Sequence, residues 1–230
     1  MIEGSGALAL VLSGDPALYA IVRLSLVVSL CAVGLAALIG MPLGGLIALT
    51  RFPGRSGVIV LLNAFMGLPP VVVGLAVFLL LSRSGPLGSL GLLFTPTAMV
   101  MAQAVLITPI IAALTRQTIE DYWAEYRDEL NAMGVGPIAR LMTLLYDARM
   151  ALVTVLLAGF GRAAAEVGAV MIVGGNINGF TRVMTTAIAL ETSKGDLPLA
   201  MGLGLILIAL VFAINASAWA LRLYAERRIG

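Results

Sequence analysis

The sequence contains no histidine, one cysteine and one lysine, and of its 230 residues only 11% are charged and 6% aromatic. With Cys31 alone inside an apolar run, no disulfide can form within one chain. The familiar His/Cys sets for metal or haem cannot be assembled either. Redox chemistry is thereby excluded. Lys194 is the sole lysine, the other thirteen of the 14 basic residues are dispersed arginines, and the net charge is +2. No dense basic face for nucleic acid can be built from these positions. A Gly-x-x-x-x-Gly-Lys-Ser/Thr phosphate loop is missing too, so the chain does not bind ATP by that device. The first eighteen residues hold Glu3 and Asp15, and no basic residue precedes Arg23. The basic region of a signal peptide is therefore lacking, and the first apolar segment is expected to stay in the mature protein.

Apolar residues, in contrast, make up 60% of the chain, where a soluble domain has about 45–50%. This composition predicts an all-α membrane protein. A spanning helix needs about 20 apolar residues for a hydrocarbon core of about 30 Å, and five segments satisfy this: about 19–49, 57–81, 97–114, 151–173 and 197–221. Residues 1–18 are expected as an external N-terminal segment, 19–222 as one transmembrane domain, and 223–230 as a cytoplasmic tail. With the N-terminus outside, nine arginines fall on the inner side (Arg51, Arg55, Arg116, Arg127, Arg140, Arg149, Arg222, Arg227 and Arg228), against Arg83, Arg182 and Lys194 outside. Cytoplasmic loops are enriched in Lys and Arg, so the segment 116–149 and the C-terminus are expected in the cytoplasm.

That inner segment holds half the acidic residues of the protein: Glu120, Asp121, Glu125, Asp128, Glu129 and Asp147. Leu130, Met133, Ile138, Leu141, Met142 and Leu145 recur at helix-like intervals, interrupted by Gly134-Val-Gly136-Pro137. The pattern predicts a polar helix, a turn, and a second amphipathic helix leading into the fourth span. Such a helix can dock a cytosolic partner or simply cover the surface. In the fourth span, Arg162 and Glu166 stand one helical turn apart, and ionisable groups inside a span face the protein interior or a wet cavity. They form either a packing pair or a tempered contact for an anion. Asn63, Gln103, Thr108, Asn176, Thr181, Thr185 and Thr186 are neutral groups able to bond an anion weakly or to satisfy backbone. Pro69, Pro70 and Pro109 should kink the second and third spans. Ala36, Gly40 and Gly44 form a small-residue row for close helix packing.

Leu68-Pro-Pro-Val-Val-Val-Gly74 with Leu79-Leu-Leu-Ser-Arg-Ser-Gly-Pro-Leu-Gly88 resembles the second-span region of molybdate, sulfate and tungstate permeases. Gly159-Phe-Gly-Arg-Ala-Ala-Ala-Glu-Val-Gly-Ala-Val-Met-Ile-Val-Gly-Gly-Asn176 resembles their fourth span, and the continuation from Thr181 to Asp196 is most similar to the tungstate branch. The inner segment is similar to the cytoplasmic loop of type I ABC importer permeases. Asp128-Glu129-Leu130 and Gly134 take the places of its Glu-Ala-Ala and glycine, while Asp147 stands where the pattern has proline.

The resemblance implies a coupling helix between the third and fourth spans, with Asp128, Glu129, Gly134, Gly136 and Asp147 at the contact with the ATPase. It implies Arg162, Glu166, Asn176, Thr185 and Thr186 along the path or in an intramembrane pair. It also implies a homodimer in the inner membrane of a prokaryotic cell, a cytoplasmic ATPase dimer carrying ATP and Mg, and an external oxyanion-binding protein. No cofactor is expected in this chain, and it is not itself a catalyst. A molybdate or sulfate permease is the near alternative. An ion-coupled secondary carrier would require inverted repeats and coupling carboxylates at the midplane, and a structural scaffold would have no use for the acidic segment.

Overall fold

Proline and glycine punctuate the helices. Pro16, Pro70, Pro96 and Pro137 each open one, where a fixed φ suits the first turn and the missing N–H has no acceptor to lose. Gly175 and Gly195 close others in left-handed backbone, with φ 71° and 84°, a conformation that glycine takes without a Cβ penalty. The computed structural model describes the backbone of residues 16–229 and the side chains of residues 16–220. The described elements are α1 (Pro16–Leu49), α2 (Arg55–Met66), α3 (Pro70–Leu81), a 3-10 turn at Gly88–Leu90, α4 (Pro96–Ala132), α5 (Pro137–Asp147), α6 (Arg149–Ala164), α7 (Gly168–Gly174), α8 (Met184–Lys194) and α9 (Leu197–Ile229). Of the expected external segment, residues 1–15 lie outside the described residues. Helix α9 runs through most of the expected tail, whose side chains and last residue, Gly230, also lie outside them.

Three helices, α1, α4 and α9, are long and apolar enough to cross a membrane. The count rises to five if α2 with α3 and α5 with α6, bent by 98° and 75°, each make one span. At the expected kink, Pro69-Pro70, the helix is interrupted: α2 closes at Met66 and α3 opens at Pro70. Two successive residues lack an N–H, and the residue before a proline is driven out of the helical region; Pro69 itself is extended at φ −64°, ψ 122°. Pro109, in contrast, sits inside an unbroken α4, beside Thr108, whose hydroxyl donates to the Ala104 carbonyl at 2.7 Å. At about 1.5 Å per residue, the 37 residues of α4 extend well past a hydrocarbon core. The first half of the polar inner segment is therefore a continuation of the third apolar helix. The fourth apolar segment is interrupted at Ala165, Glu166 and Val167, between α6 and α7.

Contacts divide the described residues into two units. The first comprises residues 16–32, 69–103 and 161–229, and the second 33–68 and 104–160. In the first, α3 packs on α7 so closely that a Cβ on Gly74 would lie 2.6 Å from the Ala169 Cα, a contact that requires glycine. Phe78 meets the edge of Phe94 with ring centroids 6.1 Å apart. Helix α8 lies on α9, where Met184, Ala187 and Leu203 form a buried cluster with Ile21 and Val22 of α1. In the second unit, Ile47, Leu62, Ala112 and Ala113 make the core. The small row of α1 meets α4 here: a Cβ on Gly40 would lie 3.0 Å from the Thr108 carbonyl oxygen. Glu120 accepts from both Arg55 and Arg116 at 2.5 Å, and Arg55 Nε donates to the Ile47 carbonyl near the end of α1 at 2.9 Å. These bonds tie the end of α1 and the start of α2 to the interior of α4.

Candidate functional site

The break in the fourth segment brings together four of the polar groups that the sequence singles out: Arg162, Glu166, Gln103 and Thr185. Arg162, in the last turn of α6, contacts Glu166 with Nη1 to Oε2 at 2.6 Å. Glu166 lies past the helix end, so the pair survives through the turn rather than through shared helical spacing. The other Glu166 oxygen, Oε1, accepts the Ala169 N–H at 3.0 Å, supplying the first turn of α7 with an acceptor in place of a backbone carbonyl. The Glu166 carbonyl accepts from the Thr185 hydroxyl at 2.8 Å. The Glu166 side chain is 3% exposed and that of Arg162 is 30% exposed. Both carboxylate oxygens are thus engaged, while part of the guanidinium is open to solvent.

Asn176 and Thr186 are joined as well: Asn176 Nδ2 donates to the Thr186 carbonyl at 3.3 Å, and the Thr186 hydroxyl accepts the Val183 N–H at 3.1 Å. Asn176 takes φ 49°, directly after the left-handed Gly175. Gln103 Nε2 reaches the Ala163 carbonyl at 3.1 Å, closing the end of α6. Thr181 donates to the Gly174 carbonyl at 2.6 Å, so that hydroxyl, like that of Thr108, satisfies backbone. The break thus holds one arginine, tempered by a buried carboxylate, among neutral groups that bond backbone.

The second set lies in the other unit. Gly134, with φ 64°, turns the chain after α4, and Gly136 precedes Pro137 at the start of α5. Asp128, Glu129, Gly134, Gly136 and Asp147 are all exposed. Carboxylates concentrate here: the Tyr126 phenol is held above its ordinary range first by Glu125 and further by Asp147 and Glu129. Helix α5 has two apolar faces. Leu141 and Leu144 are buried, whereas Ile138, Met142 and Tyr146 are 75%, 62% and 66% exposed. Its position is fixed by Arg140, which lies 4.6 Å from the centre of the Trp123 ring and donates to Asn131 Oδ1 at 3.0 Å and the Val135 carbonyl at 3.2 Å. The sequence reading misses this clasp. The Gly/Pro turn signals that α5 folds back, but nothing in the spacing distinguishes Trp123 from Tyr122 or Tyr126.

No family model matches the chain. It is 41% identical over 216 residues to the tungstate uptake system permease protein TupB of Peptoclostridium acidaminophilum, covering 94% of this chain and 95% of that protein. A probable anion ABC transporter permease protein of Haloferax volcanii is 43% identical over 204 residues, 86% of this chain and 88% of the other. The tungstate uptake system permease protein TupB of Campylobacter jejuni is 40% identical over 155 residues, covering 67% and 65%. Identity of this order along nearly the full length is beyond what shared hydropathy produces, and the chain belongs to the family of anion ABC transporter permeases that includes the TupB proteins.

Proposed function

We propose that this chain is the membrane-spanning subunit of an ATP-driven tungstate importer. Five spans place the N-terminus outside and the segment with α5 inside. Two copies form the path, an ATPase dimer carrying ATP and Mg docks from the cytoplasm, and an external binding protein delivers the anion. The observation that carries the coupling step is the two-faced α5. Its buried leucines hold it to the protein, and its outward row of Ile138, Met142 and Tyr146 offers an exposed apolar ridge, with Asp147 at the end of α5 and Asp128 and Glu129 exposed in the last turns of α4. Exposed apolar rows with polar rims mark partner surfaces. Only Ala148 separates α5 from α6, so a tilt imposed on α5 turns the base of α6 with it.

In the path, Arg162 supplies the attraction and Glu166 limits it, which suits conduction: an ion held too strongly does not leave. Asn176, Thr185 and Thr186 hold the backbone around that pair. The reading is tested by uptake into proteoliposomes carrying the permease, its ATPase and the binding protein. Tungstate uptake that requires ATP, and that molybdate and sulfate compete with less effectively, is the expected result. Uptake driven by an ion gradient without ATP would instead identify a secondary carrier.

A further inference from the structure

Two arginines share one pocket at the start of α1. Tyr19, Arg23 and Leu24, with Asn178, Phe180 and Arg182 of the segment between α7 and α8, line a cavity of about 390 Å³. All belong to the first unit. The walls are held firmly. Buried Ser25, two residues beyond Arg23, accepts the Met184 N–H at 2.7 Å. The Ile177 carbonyl accepts the N–H groups of Phe180, Thr181 and Arg182, and buried Thr181 accepts the Ile177 N–H at 2.9 Å. Arg182 is thereby presented from a turn whose backbone bonds are satisfied.

What distinguishes the pocket is a pair of arginines without a carboxylate beside them among the described residues. Arg55, Arg116 and Arg162 each pair with a carboxylate, Glu120 or Glu166. No carboxylate among the described residues lines this cavity, and Arg182 Nε is buried with no acceptor. Guanidinium forks match the paired oxygens of tetrahedral oxyanions, and the Asn178 amide adds further donors.

The geometry points to a second anion site here, formed by Arg23, Arg182 and Asn178, that receives a free tetrahedral dianion of the tungstate class before it passes into the membrane path. The inference rests on the oxyanion-permease reading, in whose topology the start of α1 and the segment 175–183 face outside. A phospholipid headgroup shares the same phosphate-like chemistry, so the two sources must be separated. Tungstate binding to the purified permease–ATPase complex is measured by equilibrium dialysis, in phosphate-free detergent micelles and in phospholipid nanodiscs. R23Q and R182Q are each expected to weaken binding roughly tenfold, the loss of one charge-assisted bond. R182K is expected to fall between R182Q and the natural protein, and R83Q, altered in another outer loop, to bind unchanged.

Unaltered binding by assembled R23Q and R182Q complexes would overturn the proposal. So would binding by the natural complex in micelles that vanishes in nanodiscs, which would assign the pocket to a headgroup. Oxyanion uptake by the natural complex is measured in parallel. Its absence refutes the permease reading itself, whereas its presence with indifferent variants refutes the pocket alone.

Discussion

Glu166 is asymmetrically placed against its partner. Its carboxylate is buried and divided between Arg162 and the Ala169 N–H, while the Arg162 side chain is partly open to solvent. Removing the arginine therefore strands a buried charge, whereas removing the carboxylate leaves a charge on a side chain that is only partly buried. Breaking a buried pair costs about 3–5 kcal/mol when an uncompensated charge remains inside. R162Q is predicted to reach that range in thermal or denaturant unfolding of the assembled complex, and E166Q to cost about 1–2 kcal/mol, nearer the value of an ordinary hydrogen bond. The double variant R162Q/E166Q should recover most of the loss. A larger effect of E166Q than of R162Q would contradict this geometry. Uptake by the double variant then separates packing from transport, since an assembled complex that no longer moves anion assigns Arg162 to the path.

At the scale of elements, the two faces of α5 should answer to different measurements. Met142 lies on the outward row, so M142E is predicted to abolish stimulation of the partner ATPase while the permease still folds and inserts. Leu144 is fully buried, and L144A should lower stability by about 2–5 kcal/mol through the cavity it leaves. Loss of folding in M142E, or normal ATPase stimulation by it, would remove α5 from the contact. This helix was legible in the sequence because a Gly/Pro break set its start and its apolar residues recur at helix-like intervals, whereas its second, outward apolar row was not. The break at Pro69-Pro70 was legible as a kink, though the close seating of α3 on α7 through Gly74 and Ala169 was not. The interruption at Glu166 was not legible. Ala163, Ala164 and Ala165 read as uninterrupted helix, and a carboxylate that caps α7 from outside the helix leaves no periodic trace. Nor was the continuity of α4 through Arg116 and Glu120, since charged residues after an apolar run signal the membrane edge without saying where the helix ends.

For the whole molecule, the distribution of arginine is the organising fact. Arg55 and Arg116 converge on Glu120, and Arg140 fastens α5 beside Trp123. The residues whose distribution predicts a cytoplasmic side thus also tie helices together. All of the coupling account depends on that side being the one an ATPase can reach. The most direct measurement is the accessibility of single cysteines, introduced after Cys31 is replaced by serine, to a membrane-impermeant thiol reagent on intact cells stripped of any outer barrier. Ser84, Ser193 and Ala139 are exposed positions on the 3-10 side of α3, at the end of α8 and on α5. Cysteines at Ser84 and Ser193 are predicted to react in sealed cells, and the one at Ala139 only after the membrane is opened. Ready labelling at Ala139 in sealed cells would put α5 outside, beyond the reach of any cytoplasmic ATPase, and the account of this protein as an ATP-coupled permease would be contradicted.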